Sequence, residues 1–178
     1  YHITATQLNE VDALRLVRQE AMTRNLPHVV TASDNELRPI YEVVGGNPLA
    51  LRLVTGQLHT DPLPKVLDEL KEASGHPAQT LYTYIYRRAW ELLNENERLT
   101  WLAMPMLDPQ GGSFEMLVSV CYRIPKHAVD KALKKLISLS LVDCRLGLYE
   151  SRYSLHSLTR AFLHKQVAHW SGATDTKD

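Results

Sequence analysis

The stretch Leu139-Ser-Leu-Val-Asp-Cys-Arg-Leu-Gly-Leu-Tyr-Glu-Ser-Arg-Tyr-Ser-Leu-His-Ser157 decides the fold, because the hydrophobic period changes inside it. Before it, from Pro125 to about Leu139, Ala128, Val129, Ala132, Leu133 and Leu136 recur at helical spacing. Within it, Leu141–Arg145 and Ser151–Leu155 read as two strands joined by a turn at Gly147. After it, Leu158, Ala161, Phe162 and Val167 mark a last helix to about Trp170, beyond which residues 171–178 form a flexible tail.

Working back from the hairpin, residues from Ser113 to about Cys121 read as a helix and Asp108-Pro-Gln-Gly-Gly112 as a loop. Asn94-Glu-Asn-Glu97 opens a helix with Leu99, Leu102 and Ala103 inward, ending near Pro105. A longer helix carries Leu81, Ile85, Ala89 and Leu92, with Tyr82, Tyr84, Tyr86 and Trp90 around that stripe as packing rings. Helices, a β-hairpin wing and a closing helix give a winged-helix order over residues 78–170.

The N-terminal part reads as a small helical bundle over residues 1–75. Asn9 and Asp12 open a helix whose apolar face is Ala13, Leu14, Val17 and Ala21, stopped by Asn25 and Pro27. Ser33-Asp-Asn-Glu36 is a capping box for a second, with Leu37, Ile40, Tyr41 and Val44 apolar and Pro39 expected to bend or delay it. It ends at Gly45-Gly46, after which Asn47 caps a third helix with Pro48 first and Ala50, Leu51, Val54 and Leu58 apolar. Residues 65–73 make a fourth. Ser74-Gly-His-Pro77 breaks the pattern and is the expected domain boundary. The fold class is mainly α: a small four-helix bundle, then a winged-helix domain with a short hairpin.

Composition narrows the function classes. Of 178 residues, 44% are hydrophobic, 22% charged and only 17 are glycine or proline, which excludes disordered, collagen-like and disulfide-held chains. Twenty basic and twenty acidic residues cancel, so the whole chain makes no case for a polyanionic partner. Residues 113–170, however, hold nine Lys or Arg against four acids. Cys121 and Cys144 sit in apolar runs as small buried thiols, which points to a reducing, cytoplasmic compartment. No apolar run approaches the ~18 residues of a membrane span. The start, Tyr1-His-Ile-Thr4, lacks both a signal peptide and an initiator methionine, so a piece of a longer protein is expected.

No catalytic constellation is legible. A Gly-Lys phosphate loop, a Gly-x-Ser-x-Gly elbow and a His-Glu-x-x-His pair are all missing. His156, Arg160 and His164 share a helical face but have no carboxylate or thiolate beside them. The chain by itself is therefore not expected to be an enzyme. Two patterns remain, Gly45-Gly-Asn-Pro-Leu-Ala-Leu51 after a capped helix, and Leu155-His-Ser157 where the last strand meets the last helix.

In this order and context, the two patterns resemble the helical and winged-helix parts of the NB-ARC nucleotide switch, a module of the STAND class of signalling ATPases. The likeness runs from about residue 1 to 170. Leu139-Ser-Leu-Val142, running into the wing, and the Asn94–Met106 helix leading to Pro105 support it. The resemblance implies a Gly-x-Pro motif against adenine and ribose, with Gly46, Pro48 and Leu49 at the base. It also implies a Met-His-Asp motif whose histidine, here His156, touches the β-phosphate of ADP. Leu155 replaces the methionine. Ser157 replaces the aspartate; a serine can cap the last helix but makes no charged contact. A P-loop domain holding Mg²⁺ would precede Tyr1 and a repeat sensor would follow Asp178, in an ADP/ATP-dependent regulator of signal transduction that oligomerises on activation. Short loops and a compact wing suggest a bacterial member.

Two other classes are consistent with the same elements. A DNA-binding regulator would use Lys126, His127, Lys131, Lys134 and Lys135 on the helix before the wing, with Arg145 and Arg152 on the wing. A ligand-free protein-interaction module would share the fold and differ in that His156→Ala changes nothing functional.

Overall fold

The computed structural model describes residues 7–74 and 78–171, with side chains placed for residues 7–71 and 82–164. The protein is mainly helical with one small antiparallel sheet, and it divides into two compact units, Tyr1–Glu91 and Leu92–Asp178. Among the described residues, no helix is long and apolar enough to cross a membrane.

The first unit contains α1 (Glu10–Thr23), α2 (Pro27–Val30), α3 (Asp34–Val44), α4 (Pro48–Gln57), α5 (Leu63–Ser74) and α6 (Ala78–Glu91). Side chains satisfy the orphan amides at three of these starts. Asn9 Oδ1 accepts from the Asp12 N–H at 2.9 Å, Ser33 and Glu36 close a reciprocal capping box, and Asn47 Oδ1 accepts from both Leu49 and Ala50. α1 ends with Asn25 at φ 55° and the Leu26 N–H on the Ala21 carbonyl, a left-handed stop that asparagine tolerates. α3 starts at Asp34 and runs through Pro39 without a break, so Pro39 does not delay it; the capping box fixes its start five residues earlier.

Burial explains the arrangement. Every residue of Leu49–Leu58 except Arg52 is buried, so α4 is the central rod, and α1, α3 and α6 pack on it. Leu14 and Val17 of α1, Leu37 and Ile40 of α3, and Ile85 and Tyr86 of α6 join it in the core.

Two sequence expectations need correction here. Among the described residues the first unit has six helices where four were expected, because α2 spans too few residues to show a period and α6 joins the unit. The unit boundary falls between Glu91 and Leu92, because α6 belongs to the first unit: the Gln57 amide donates to the Ile85 carbonyl, and Arg88 binds Asp61 and Glu69. Gly75–Pro77 of the expected boundary lie outside the described residues.

The second unit runs α7 (Glu95–Ala103), a 3-10 turn at Met104–Met106, β1 (Gly112–Ser113), α8 (Phe114–Val120), α9 (Lys126–Ser138), β2 (Asp143–Arg145), β3 (Arg152–Ser154) and α10 (Ser157–Ser171). The strands lie in the order β1-β3-β2, all antiparallel, with Tyr153 facing Gly112 on one side and Cys144 on the other. β1 is a third strand where a plain loop and helix start were expected, and at two residues it has no alternation to read. Asn94 and Glu97 form the expected capping box of α7. The inward face of α7 differs from expectation: Leu99 is exposed and Leu102 and Ala103 are half-buried, whereas Glu97, Thr100 and Trp101 are buried. The indole of Trp101, fully buried, sets that face by its area. α9 closes with Ser140 at φ 61°, where Leu141 N–H bonds the Leu136 carbonyl and Ser140 N–H that of Ile137.

Candidate functional site

Gly46, Pro48 and Leu49 lie together at the α3–α4 junction of the first unit, and His156 lies at the β3–α10 junction of the second. At the first junction, Gly45 ends α3 at φ 67° and ψ −166°, a region open essentially to glycine alone. Gly46 follows with a different constraint. A Cβ on it would stand 1.9 Å from the Leu8 carbonyl oxygen and 2.6 Å from its nitrogen, and the Leu8 N–H donates to the Gly46 carbonyl at 2.8 Å. The close backbone approach that glycine permits here is therefore made by the protein's own chain at Leu8.

Pro48 takes the first position of α4, where its missing N–H costs no hydrogen bond, and its ring is half-buried. Leu49 is only 6% exposed and belongs to the core. Asn47, between Gly46 and Pro48, caps α4 by accepting from the Leu49 and Ala50 amides, and the Tyr82 phenol of α6 lies near its side chain. Burial pushes that phenol's pKa up, with the Asn47 side chain pulling the other way. The packing of Leu8 and Tyr82 on this turn leaves no pattern in the sequence, because both contacts are long-range.

At the second junction, His156 is exposed and precedes the first residue of α10. Its carbonyl accepts from Arg160 N–H, and its Nδ1 accepts from Leu158 N–H at 3.2 Å. His156 is thus the N-cap of α10, the role expected of Ser157, which is already the first helical residue. An accepting Nδ1 places the proton of the neutral ring on Nε2. Arg160, one turn on, reaches back to the 3-10 turn and donates to the carbonyls of Pro105 at 2.6 Å, Leu107 at 3.1 Å and Asp108 at 3.4 Å. Arg160 is a structural tie within the unit, a role its helical spacing from His156 did not show.

The basic face around α9 is partly neutralised. Lys126 pairs with Glu115 at 2.7 Å and lies over the Phe114 ring, and Lys134 pairs with Asp130 at 2.6 Å. Arg152 donates to the Gly111 carbonyl. His127, Lys131 and Arg145 are exposed, Lys135 is half-buried, and none of the four makes an ion pair among the described residues.

Burial raises the pKa of both thiols, Cys121 and Cys144, which keeps them protonated and weakly nucleophilic. Among the described residues, no three His, Cys, Asp or Glu side chains gather where they could hold a metal ion. Compared with models of known protein families and with curated protein sequences, the chain matches none of either.

Proposed function

We propose that the chain is the helical and winged-helix part of a STAND-class nucleotide switch, with α7–α10 and the sheet as the winged helix. In this reading a P-loop α/β domain of the same protein holds the phosphates and Mg²⁺ of ADP or ATP. Pro48 offers a rigid apolar ring to the base, and His156 donates from Nε2 to the β-phosphate in the ADP-bound, inactive state. The observation that carries the reading is the state of His156. Its Nδ1 is committed to the Leu158 amide, so the exposed ring carries its proton on the nitrogen a phosphate oxygen requires.

The four residues fit a nucleotide unequally. Pro48 and His156 have side-chain surface to give, whereas Gly46 is closed by Leu8 and Leu49 faces the core, so these two shape the turn that presents Pro48. A histidine hydrogen bond to a charged phosphate is worth about 1.5–3 kcal/mol, which is roughly ten- to a hundredfold in nucleotide affinity. That is enough to bias a two-state equilibrium.

The test is the nucleotide content of the chain joined to its α/β domain, in wild-type and His156→Ala forms, by denaturing extraction and chromatography. Stoichiometric ADP in the wild type, lost or exchanging at least tenfold faster in the variant, supports the reading. Absence of nucleotide from both forms refutes it.

Duplex DNA binding through α9 and the wing is the second reading, favoured by the exposed His127, Lys131 and Arg145. The internal pairing of Lys126 and Lys134 weakens it. Binding to a duplex that falls steeply with added salt would establish it, and no binding at low salt would end it.

A further inference from the structure

The sheet of the second unit leaves β2 at its edge, with β3 on one side and no strand on the other among the described residues. Two observations show which backbone groups face outward. Gly147 N–H bonds the Glu150 carbonyl at 3.1 Å, in the same pairing series that sets Arg145 opposite Arg152 and Asp143 opposite Ser154. In an antiparallel ladder, hydrogen-bonded pairs alternate, so Asp143, Arg145 and Gly147 direct their N–H and C=O groups toward β3. On the far side of β3, a Cβ on Gly111 would lie 3.0 Å from the Tyr153 carbonyl oxygen, so Tyr153 faces β1 and Arg152 and Ser154 face β2. Both place the N–H and C=O of Cys144 on the open edge.

Beyond the edge the loop is apolar and bare: Leu146 is 87% exposed, Leu148 89% and Tyr149 97%. Gly147 holds it in shape, since a Cβ there would meet the Glu150 carbonyl oxygen at 2.3 Å. Asp143, Arg145, Glu150 and Arg152 sum to zero charge over residues 143–152. A polyphosphate or anionic lipid surface finds no net attraction there. A strand with the same charges in reverse order does, and that strand is β2 itself.

We infer that β2 is a self-complementary docking edge, which pairs antiparallel with β2 of a second copy about a two-fold axis through Cys144. In that register the two Cys144 residues exchange their outward N–H···O=C bonds, and each Asp143 stands opposite the Arg145 of the other copy. Both acid–base pairs lie on one face of the joined sheet, because residues 143 and 145 share a side of the strand. Leu146 of each copy lies beside Val142 of the other, and the apolar tips flank the junction. The contact is isologous, as a two-fold interface must be. It is also small against the ~800 Å² per partner of a standard stable interface, so the dimer is weak and concentration-dependent. The inference does not depend on nucleotide binding.

The test is sedimentation of the purified chain over a range of concentrations, with Asp143→Arg and Arg145→Asp variants alone and mixed. The wild type dimerises reversibly. Either reversal alone sets like charges opposite each other twice in the dimer, which weakens it at least about tenfold. An equimolar mixture of the two variants pairs arginines with aspartates at both positions and restores the dimer. Mild oxidation of the wild type then gives a covalent dimer whose mass-mapped bridge is Cys144–Cys144, since Cα atoms ~5.5 Å apart in such a pair lie within disulfide reach. A wild type that stays monomeric, single reversals that dimerise unchanged, or a mixture that fails to recover overturns the inference.

Discussion

Replacing Gly46 by alanine tests whether the glycine pair before Pro48 serves the fold. The new methyl carbon would stand 1.9 Å from the oxygen and 2.8 Å from the carbonyl carbon of Leu8, which are main-chain atoms unable to swing aside as a flexible side chain can. The segment entering α1 must move, and its Leu8–Gly46 hydrogen bond goes with it. Overpacking costs about 1–3 kcal/mol and a lost hydrogen bond about 0.5–1.5 kcal/mol, so the first unit should lose about 2–4 kcal/mol. Gly45→Ala serves as the comparison. Its Cβ would meet nothing within 4 Å, so any cost there, about 1–3 kcal/mol, comes from the backbone at φ 67°. Urea unfolding with hydrogen exchange read at individual amides separates the two. Gly46→Ala should release the Leu8 amide to fast exchange in the native state, whereas Gly45→Ala should lower global stability and leave Leu8 protected. Wild-type stability and a protected Leu8 amide in Gly46→Ala would refute the packing argument.

Other consequences can be checked on the same chain. Arg160→Ala removes a charged donor from three carbonyls and should cost the second unit about 2–3 kcal/mol in urea unfolding, with Arg160→Lys recovering part of it. His156→Ala should cost about 1 kcal/mol through the lost α10 cap even without nucleotide, while His156→Asn, a better N-cap, should stay within about 0.5 kcal/mol of wild type. Lys65 and Arg88 hold the Asp61 carboxyl below its ordinary range. Its contribution to the first unit is therefore present above the usual carboxylate value, and is lost as pH falls below about 4, through the folded-state value. A stability–pH profile should show that loss in the wild type and a shallower one in Asp61→Asn.

Local signals made most of the helix starts legible. Asn9, the Ser33–Glu36 box, Asn47-Pro48 and the Asn94–Glu97 box each satisfy orphan amides from residues two or three positions away, so a reader of the chain sees both partners at once. What escaped was non-local or too short to carry a period. β1 exists through pairing with Tyr153 and Arg152, some forty residues away in sequence, and Gly112-Ser113 alone says nothing of it. The attachment of α6 to the first unit rests on Arg88 reaching Asp61 and Glu69, and Ser74-Gly-His-Pro77 looked the stronger break because glycine and proline end helices whether or not a domain ends with them. The inward face of α7 was misread by favouring leucines over Trp101, though one buried indole outweighs two half-buried aliphatic groups.

The same distinction bears on the candidate site. Both motifs sit at helix starts, where amides need partners whatever the protein does, and in both a side chain caps the helix without a ligand: Asn47 serves α4 and His156 serves α10. Capping alone, however, does not require histidine, since serine, aspartate or asparagine caps as well or better. What histidine adds is a second ring nitrogen, Nε2, besides the Nδ1 that caps the helix. Structural need accounts for Gly45, Gly46, Asn47 and Leu49 and for a proline at the first position of α4, and at position 156 it asks for a cap without specifying a histidine. The pair His156→Asn and His156→Ala therefore separates fold from function. Asparagine should rescue stability, and if it also rescues nucleotide retention in the protein carrying its α/β domain, His156 is a cap and the phosphate contact is wrong.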